Sequence, residues 1–176
     1  MNVKEFLALP EVAGQPFELI NGRVVRMDEV DRDEVAHEWV KSNLIEILVD
    51  WARQNPSMKL FSGATFQHEE KNARPLDIAL MSRNRKPVGT NTLFQGGPQL
   101  AIEVVSSEKA ADLCAKIDLF IAHGCKSVWV AHPEQRRIWI FDPSGQGRLF
   151  EKNQILEDPA VLPGFSAPVS AIFEGI

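Results

Sequence analysis

The chain has 176 residues, 44% of them apolar and 24% charged, and 19 Lys plus Arg against 24 Asp plus Glu give a net charge of -5. That balance suits one globular domain over 1–176 and excludes disorder, a collagen repeat and a fibrous coil. No run approaches the roughly 18 apolar residues of a membrane span, and Met1-Asn2-Val3-Lys4-Glu5-Phe6 lacks a signal peptide's basic-then-apolar layout, so a cytoplasmic protein is expected. Residues 1–50 hold 5 basic and 11 acidic groups, 51–100 hold 7 and 3, and 101–176 hold 7 and 10. A polyanionic partner is attracted mainly by Lys and Arg, so the middle third is where contact with one is expected. Cys114 and Cys125 are too few for a disulfide framework and read as buried hydrophobes.

Taken in order, residues 2–9 predict a short helix capped by Asn2, with Pro10 beyond its end. Phe17 to Val25 reads as a hairpin, because Asn21-Gly22 supplies the two positive-φ residues of a type I′ turn. Residues 34–53 predict a helix with Val40, Leu44, Ile47, Leu48 and Trp51 on one stripe and His37 at its edge. Strands are expected at 58–67 and 76–81, then a loop over 82–98 and a strand from Gln99 to Val105. Ser106-Ser107 caps the next helix, whose apolar face is Ala110, Leu113, Ile117, Phe120 and Ile121, with Gly124 at its stop. Strands at 127–131, 137–141 and 148–152 and a helical turn near 169–174 complete the chain. Strand, helix, strand from 99 to 131 makes one βαβ unit among hairpins, so the class is α/β or α+β with a mixed sheet flanked by helices and with extra N- and C-terminal hairpins.

Two of these strands carry an acid among apolar residues. Alternation puts Asp77, Ala79 and Met81 on one face, opposite Leu76, Ile78 and Leu80; likewise Ala101, Glu103 and Val105 lie opposite Leu100, Ile102 and Val104. A buried carboxylate needs a cation, a hydrogen-bonding cage or solvent at a strand end. Either each acid pairs separately, or the two meet around a divalent metal; alternation leaves both open. Lys116 flanks the apolar stripe of its helix, where it either reaches back over the sheet or pairs with Asp112 at i−4.

Together these residues resemble the Uma-type putative restriction endonuclease family of the PD-(D/E)XK nuclease superfamily. The likeness lies in Phe17-Glu18-Leu19-Ile20-Asn21-Gly22, in His37, and in Pro75-Leu76-Asp77-Ile78-Ala79-Leu80. It continues through Ile102-Glu103-Val104-Val105-Ser106-Ser107, Asp112, Lys116, Phe120, Gly124 to Trp129, Pro133 and Pro163-Gly164-Phe165. The resemblance implies a restriction-endonuclease-like core with Asp77 and Glu103 as ligands of Mg²⁺ or Mn²⁺. Lys116 would stand in for the superfamily lysine two residues after the Glu, where this chain has Val105. Glu18 and His37 match further family positions at the site. Leu76 between Pro75 and Asp77, Phe120 in place of an aromatic hydroxyl, and His132 in place of Asp before Pro133 depart from the pattern.

The implied reaction is hydrolysis of a DNA phosphodiester. Lys116 would orient or deprotonate the attacking water, Glu18 would complete the metal shell through a water, and His37 would hydrogen-bond a carboxylate or the phosphate. Lys71, Arg74, Arg83, Arg85 and Lys86 would contact the DNA backbone. The alternative is an inactive nuclease fold that binds DNA or assembles, for instance as a homodimer, with an aromatic such as Trp139 exposed. No Gly-rich phosphate loop is present, and no Gly-x-Ser-x-Gly elbow surrounds Ser106 or Ser107.

Overall fold

A computed structural model describes residues 1–12, 17–26, 34–88, 93–106 and 110–176. Helix α1, Val3–Leu7, starts at a capping box in which Asn2 Oδ1 accepts from the Glu5 N–H and Glu5 Oε2 accepts from the Asn2 N–H. It is shorter than expected, because Ala8 caps it and Pro10–Val12 forms a separate 3₁₀ turn. Strands β1, Phe17–Ile20, and β2, Arg23–Arg26, pair around Asn21 (φ 49°) and Gly22 (φ 78°), the left-handed pair a type I′ turn requires. Helix α2 then spans Glu34–Gln54.

The next segment holds four strands where two were expected: β3, Met58–Ser62; β4, Thr65–Glu69; β5, Asn72–Pro75; and β6, Ile78–Ser82. The first expected run breaks at Gly63, whose φ of 68° no strand interior holds. After β7, Phe94–Gln95, come β8, Leu100–Val104; α3, Ala110–Ala122; β9, Ser127–His132; β10, Arg137–Phe141; and β11, Gly147–Glu151. The chain ends with β12, Ile155–Leu156; β13, Ala167–Pro168; and α4, Val169–Ile172. Ser107, half of the expected α3 cap, lies outside the described residues.

The main sheet has the order β11-β10-β9-β8-β6-β3 and is antiparallel except at β8–β9, the parallel pair that α3 connects. The mixed sheet is thus as expected. A second sheet, β2-β1-β5-β4-β7, was not foreseen, nor was the small β12–β13 ladder. On one face of the main sheet Ile78, Leu80, Leu100, Ile102 and Val104 pack with Val40, Leu44 and Leu48 of α2 and with α4. On the other, Ala79, Met81, Ala101, Val128 and Val130 pack with Ile117 and Phe120 of α3 and Phe66 of the second sheet. Alternation therefore sorted β6 and β8 correctly, with one exception. Leu76 joins the α3 side, because it precedes β6 and its N–H bonds to Ala64 O in the passage between sheets.

Cys125 is buried, as expected, and burial pushes its thiol up to about 11. Cys114 is exposed instead, because its side chain falls on the outer face of α3. Trp139 is half-buried and stacks on Phe141, whereas Trp39 on α2 is 50% exposed. Among the described residues no helix is long and apolar enough to cross a membrane.

Candidate active site

The site forms where β6 begins and β8 ends. These strands run antiparallel and their ladder ends with Ile78 opposite Ile102, so Asp77, just before β6, and Glu103, just after Ile102, lie at the same end of the pair. Asp77 Oδ2 also accepts from the Val104 N–H at 2.9 Å, which binds the two strand ends together past the last ladder pair. The acid in each apolar strand is therefore at a strand end, and the two share one corner of the sheet.

Three other elements converge there. From α3, Lys116 Nζ donates to Glu103 Oε2 at 2.9 Å, so it reaches back over the sheet rather than pairing outward with Asp112. From β1, Glu18 brings Oε1 to 3.7 Å from Lys116 Nζ and Oε2 to 3.7 Å from Arg74 Nη1. From α2, in the opposite layer, His37 places Nε2 3.2 Å from Asp77 Oδ2 and Nδ1 3.2 Å from Glu38 Oε1. All five site residues anticipated from the sequence thus meet at one place. Asp77 is the most open, its side chain 20% exposed, and the other four are within 10%.

Burial raises the pKa of Asp77, but the hydrogen bond and charge of His37, the Val104 N–H and the charge of Lys116 outweigh it and hold the carboxyl below its ordinary value. Burial pulls His37 down, and Asp77 with Glu38 overrides this and leaves it raised. Histidine with carboxylates at both ring nitrogens is suited to the doubly protonated form.

Among the described residues no three His, Cys, Asp or Glu side chains gather into a ready-made metal cage. Mg²⁺ does not need one. It keeps most of its waters and takes one or two carboxylates together with substrate oxygens. The hard oxygens of Asp77 and Glu103, brought to one corner of the sheet, fit that demand.

The five basic residues anticipated as DNA contacts do not form one patch. Arg74 is buried against Glu18. Arg83 donates to Pro56 O and Met58 O; Arg85 donates to Gly97 O and Gln95 O and lies over the Phe66 ring. Lys71, Arg83 and Lys86 are exposed. Arg83, Arg85 and Lys86 follow the far end of β6 from Asp77, and six residue steps along the chain separate Asp77 from Arg83 by roughly 20 Å. Adjacency in sequence to the Asp77 strand is therefore not adjacency to the site.

A family model described as "Putative restriction endonuclease", Uma2, matches residues 3–170. The chain belongs to the Uma2 family. A solved structure from Anabaena variabilis ATCC 29413, described as a putative nuclease belonging to DUF820, superposes on this Uma2 chain with a TM-score of 0.81 at 18% identity, covering 98% of this chain and 97% of that one. The fold is that of this structure. No curated protein sequence matches the Uma2 chain.

Sequence reading missed two features of the site. Arg74 reads as a surface cation, although it sits in a strand whose first three residues, Asn72, Ala73 and Arg74, are all buried. His68 on β4 was passed over entirely. It is 4% exposed, packs edge-on against Phe120 with ring centroids 4.6 Å apart, and has no hydrogen-bond partner for either ring nitrogen among the described residues. Burial, then the charges of His123, Arg74, Lys116 and Arg85, push it down to about 3. No motif marks such a residue.

Proposed function

We propose that this chain is an endonuclease that hydrolyses DNA phosphodiester bonds with Mg²⁺ or Mn²⁺. The observation that carries the reading is the convergence of Asp77, Glu103 and Lys116, from a strand start, a strand end and a helix, on one partly open corner of the sheet. Membership of a family described as "Putative restriction endonuclease" supports nucleic acid as the substrate class.

Asp77 and Glu103 hold the divalent ion, which when bound polarises the phosphoryl oxygen and acidifies a water. Lys116 orients the attacking water and offsets the negative charge that builds on the phosphorus oxygens. His37 and the Val104 N–H both bond Asp77 Oδ2, which fixes the carboxylate through one oxygen. Lys71, Arg83 and Lys86, which are exposed, are the proposed backbone contacts; Arg74 is buried against Glu18 and Arg85 is tied to backbone carbonyls. Free cysteines fit a reducing, cytoplasmic setting.

Nicking of supercoiled plasmid tests this reading. Conversion to open circle requires Mg²⁺ or Mn²⁺ and disappears in Asp77→Ala and in Lys116→Ala. Cleavage that survives unchanged in both variants places the activity elsewhere.

A further inference from the structure

Lys116 lies between carboxylates drawn from two different sheets. Its Nζ donates to Glu103 Oε2 at 2.9 Å and stands 3.7 Å from Glu18 Oε1. The first contact is a charge-assisted hydrogen bond, and the second is an ion pair too long to be one. Glu18 is tied from behind, with Arg74 Nη1 3.7 Å from its other oxygen. All four residues are more than nine-tenths buried, and their two acids and two bases are formally balanced.

This arrangement is disfavoured when Glu103 takes up a divalent cation. An ammonium on Oε2 and an ion bound at the same carboxylate repel, and a buried ammonium released without a counter-charge is costly. We propose that Glu18 is a positioning residue that receives Lys116 when Glu103 binds the cation, and that Arg74 keeps Glu18 in place to do so. Closing the Lys116–Glu18 gap from 3.7 Å to hydrogen-bond length takes a shift of under about 1 Å. No covalent bond changes and no proton is transferred. The inference rests on the metal-dependent reading above. It goes beyond that reading by taking Glu18 out of the metal shell and giving it a role exerted through Lys116.

Titration calorimetry with Mn²⁺ alone, without DNA, separates the two. The wild type binds Mn²⁺, and Asp77→Ala abolishes binding. Glu18→Gln weakens binding about tenfold, Lys116→Met tightens it, and Glu18→Gln added to Lys116→Met changes it less than twofold, because the effect of Glu18 passes through Lys116. Equal weakening by Glu18→Gln in both backgrounds makes Glu18 a ligand or a distant charge and overturns the hand-over while leaving the nuclease reading intact. Mn²⁺ binding indifferent to Asp77 overturns the nuclease reading and this inference with it. Circular dichroism melts establish that each variant folds. A crystal structure of the wild type with Mn²⁺ needs no variant. Lys116 Nζ within about 3.2 Å of Glu18 Oε1 is the expected result, and Nζ still on Glu103 beside a bound ion overturns the proposal.

Discussion

His37 and His68 are buried and Asp77 is partly open, and they respond to pH with opposite signs. Asp77 is held below its ordinary 3.8, so its contribution to stability is present above that value and is lost as pH falls through the lower, folded value. His37 is raised above 6.5, so its contribution is complete below 6.5 and fades as pH rises through the higher, folded value. The pair thus stabilises the fold most between 3.8 and 6.5. His68 works against it there. Lowered from 6.5 to about 3, it binds its proton only in the unfolded chain over that range, so folding loses stability as pH falls below 6.5. The loss reaches about 2 kcal/mol at pH 5, at 1.36 kcal/mol per unit. Urea unfolding of His68→Leu should show a smaller drop between pH 7 and pH 5 than the wild type. An equal drop in the variant would mean that His68 is not the group responsible.

At the scale of elements, the C-terminal segment is anchored to the main sheet by one buried acid. Asp158 Oδ2 accepts from Ser127 Oγ at 2.6 Å and from Trp129 Nε1 at 2.9 Å, and its backbone oxygen accepts from the Val161 and Leu162 N–H groups. Removing a charged acceptor with two buried donors costs about 2–4 kcal/mol. Asp158→Ala should therefore lower the unfolding free energy by that amount and leave the rate of DNA cleavage by the folded fraction unchanged. A drop in rate at full folding would tie this segment to the site. Nothing in the local sequence marks Asp158, because its partners lie about thirty residues upstream. The elements that were legible carry their signal within themselves: the Asn21-Gly22 turn, the stripe of α2, the alternation of β6 and β8. The second sheet was hidden for the opposite reason. Its strands are short, and the break at Gly63 and the passage through Leu76 depend on which sheet the chain is leaving. Asp77, Glu103 and Lys116 stood out because an acid inside an apolar strand and a lysine beside an apolar stripe need partners. Arg74 did not, because a cation in a region rich in cations reads as surface.

For the whole molecule, the net charge of -5 is an average over a chain whose middle third alone is basic. The structure disperses even that excess, burying Arg74 and tying Arg83 and Arg85 to backbone carbonyls. The exposed cations, Lys71, Arg83 and Lys86 among them, act against a net negative chain, so DNA binding should be weak and salt-dependent. Each exposed lysine that contacts a phosphate adds about 0.9 to the slope of log K against log salt. Lys86→Ala should reduce that slope by about this amount and raise the Kd without altering the single-turnover rate, because β6 separates it from Asp77; a lower rate would place the loop at the site. The central claim is that one corner of the sheet performs metal-dependent hydrolysis, and the single-turnover cleavage rate in Mg²⁺ of the wild type and of Asp77→Asn tests it most directly. The account predicts a wild-type rate that vanishes on chelation and falls at least about 10³-fold in Asp77→Asn, as expected when a charge-stabilising group at the reacting centre is removed. Equal rates in the two proteins, or no cleavage by the wild type with either Mg²⁺ or Mn²⁺, would contradict it.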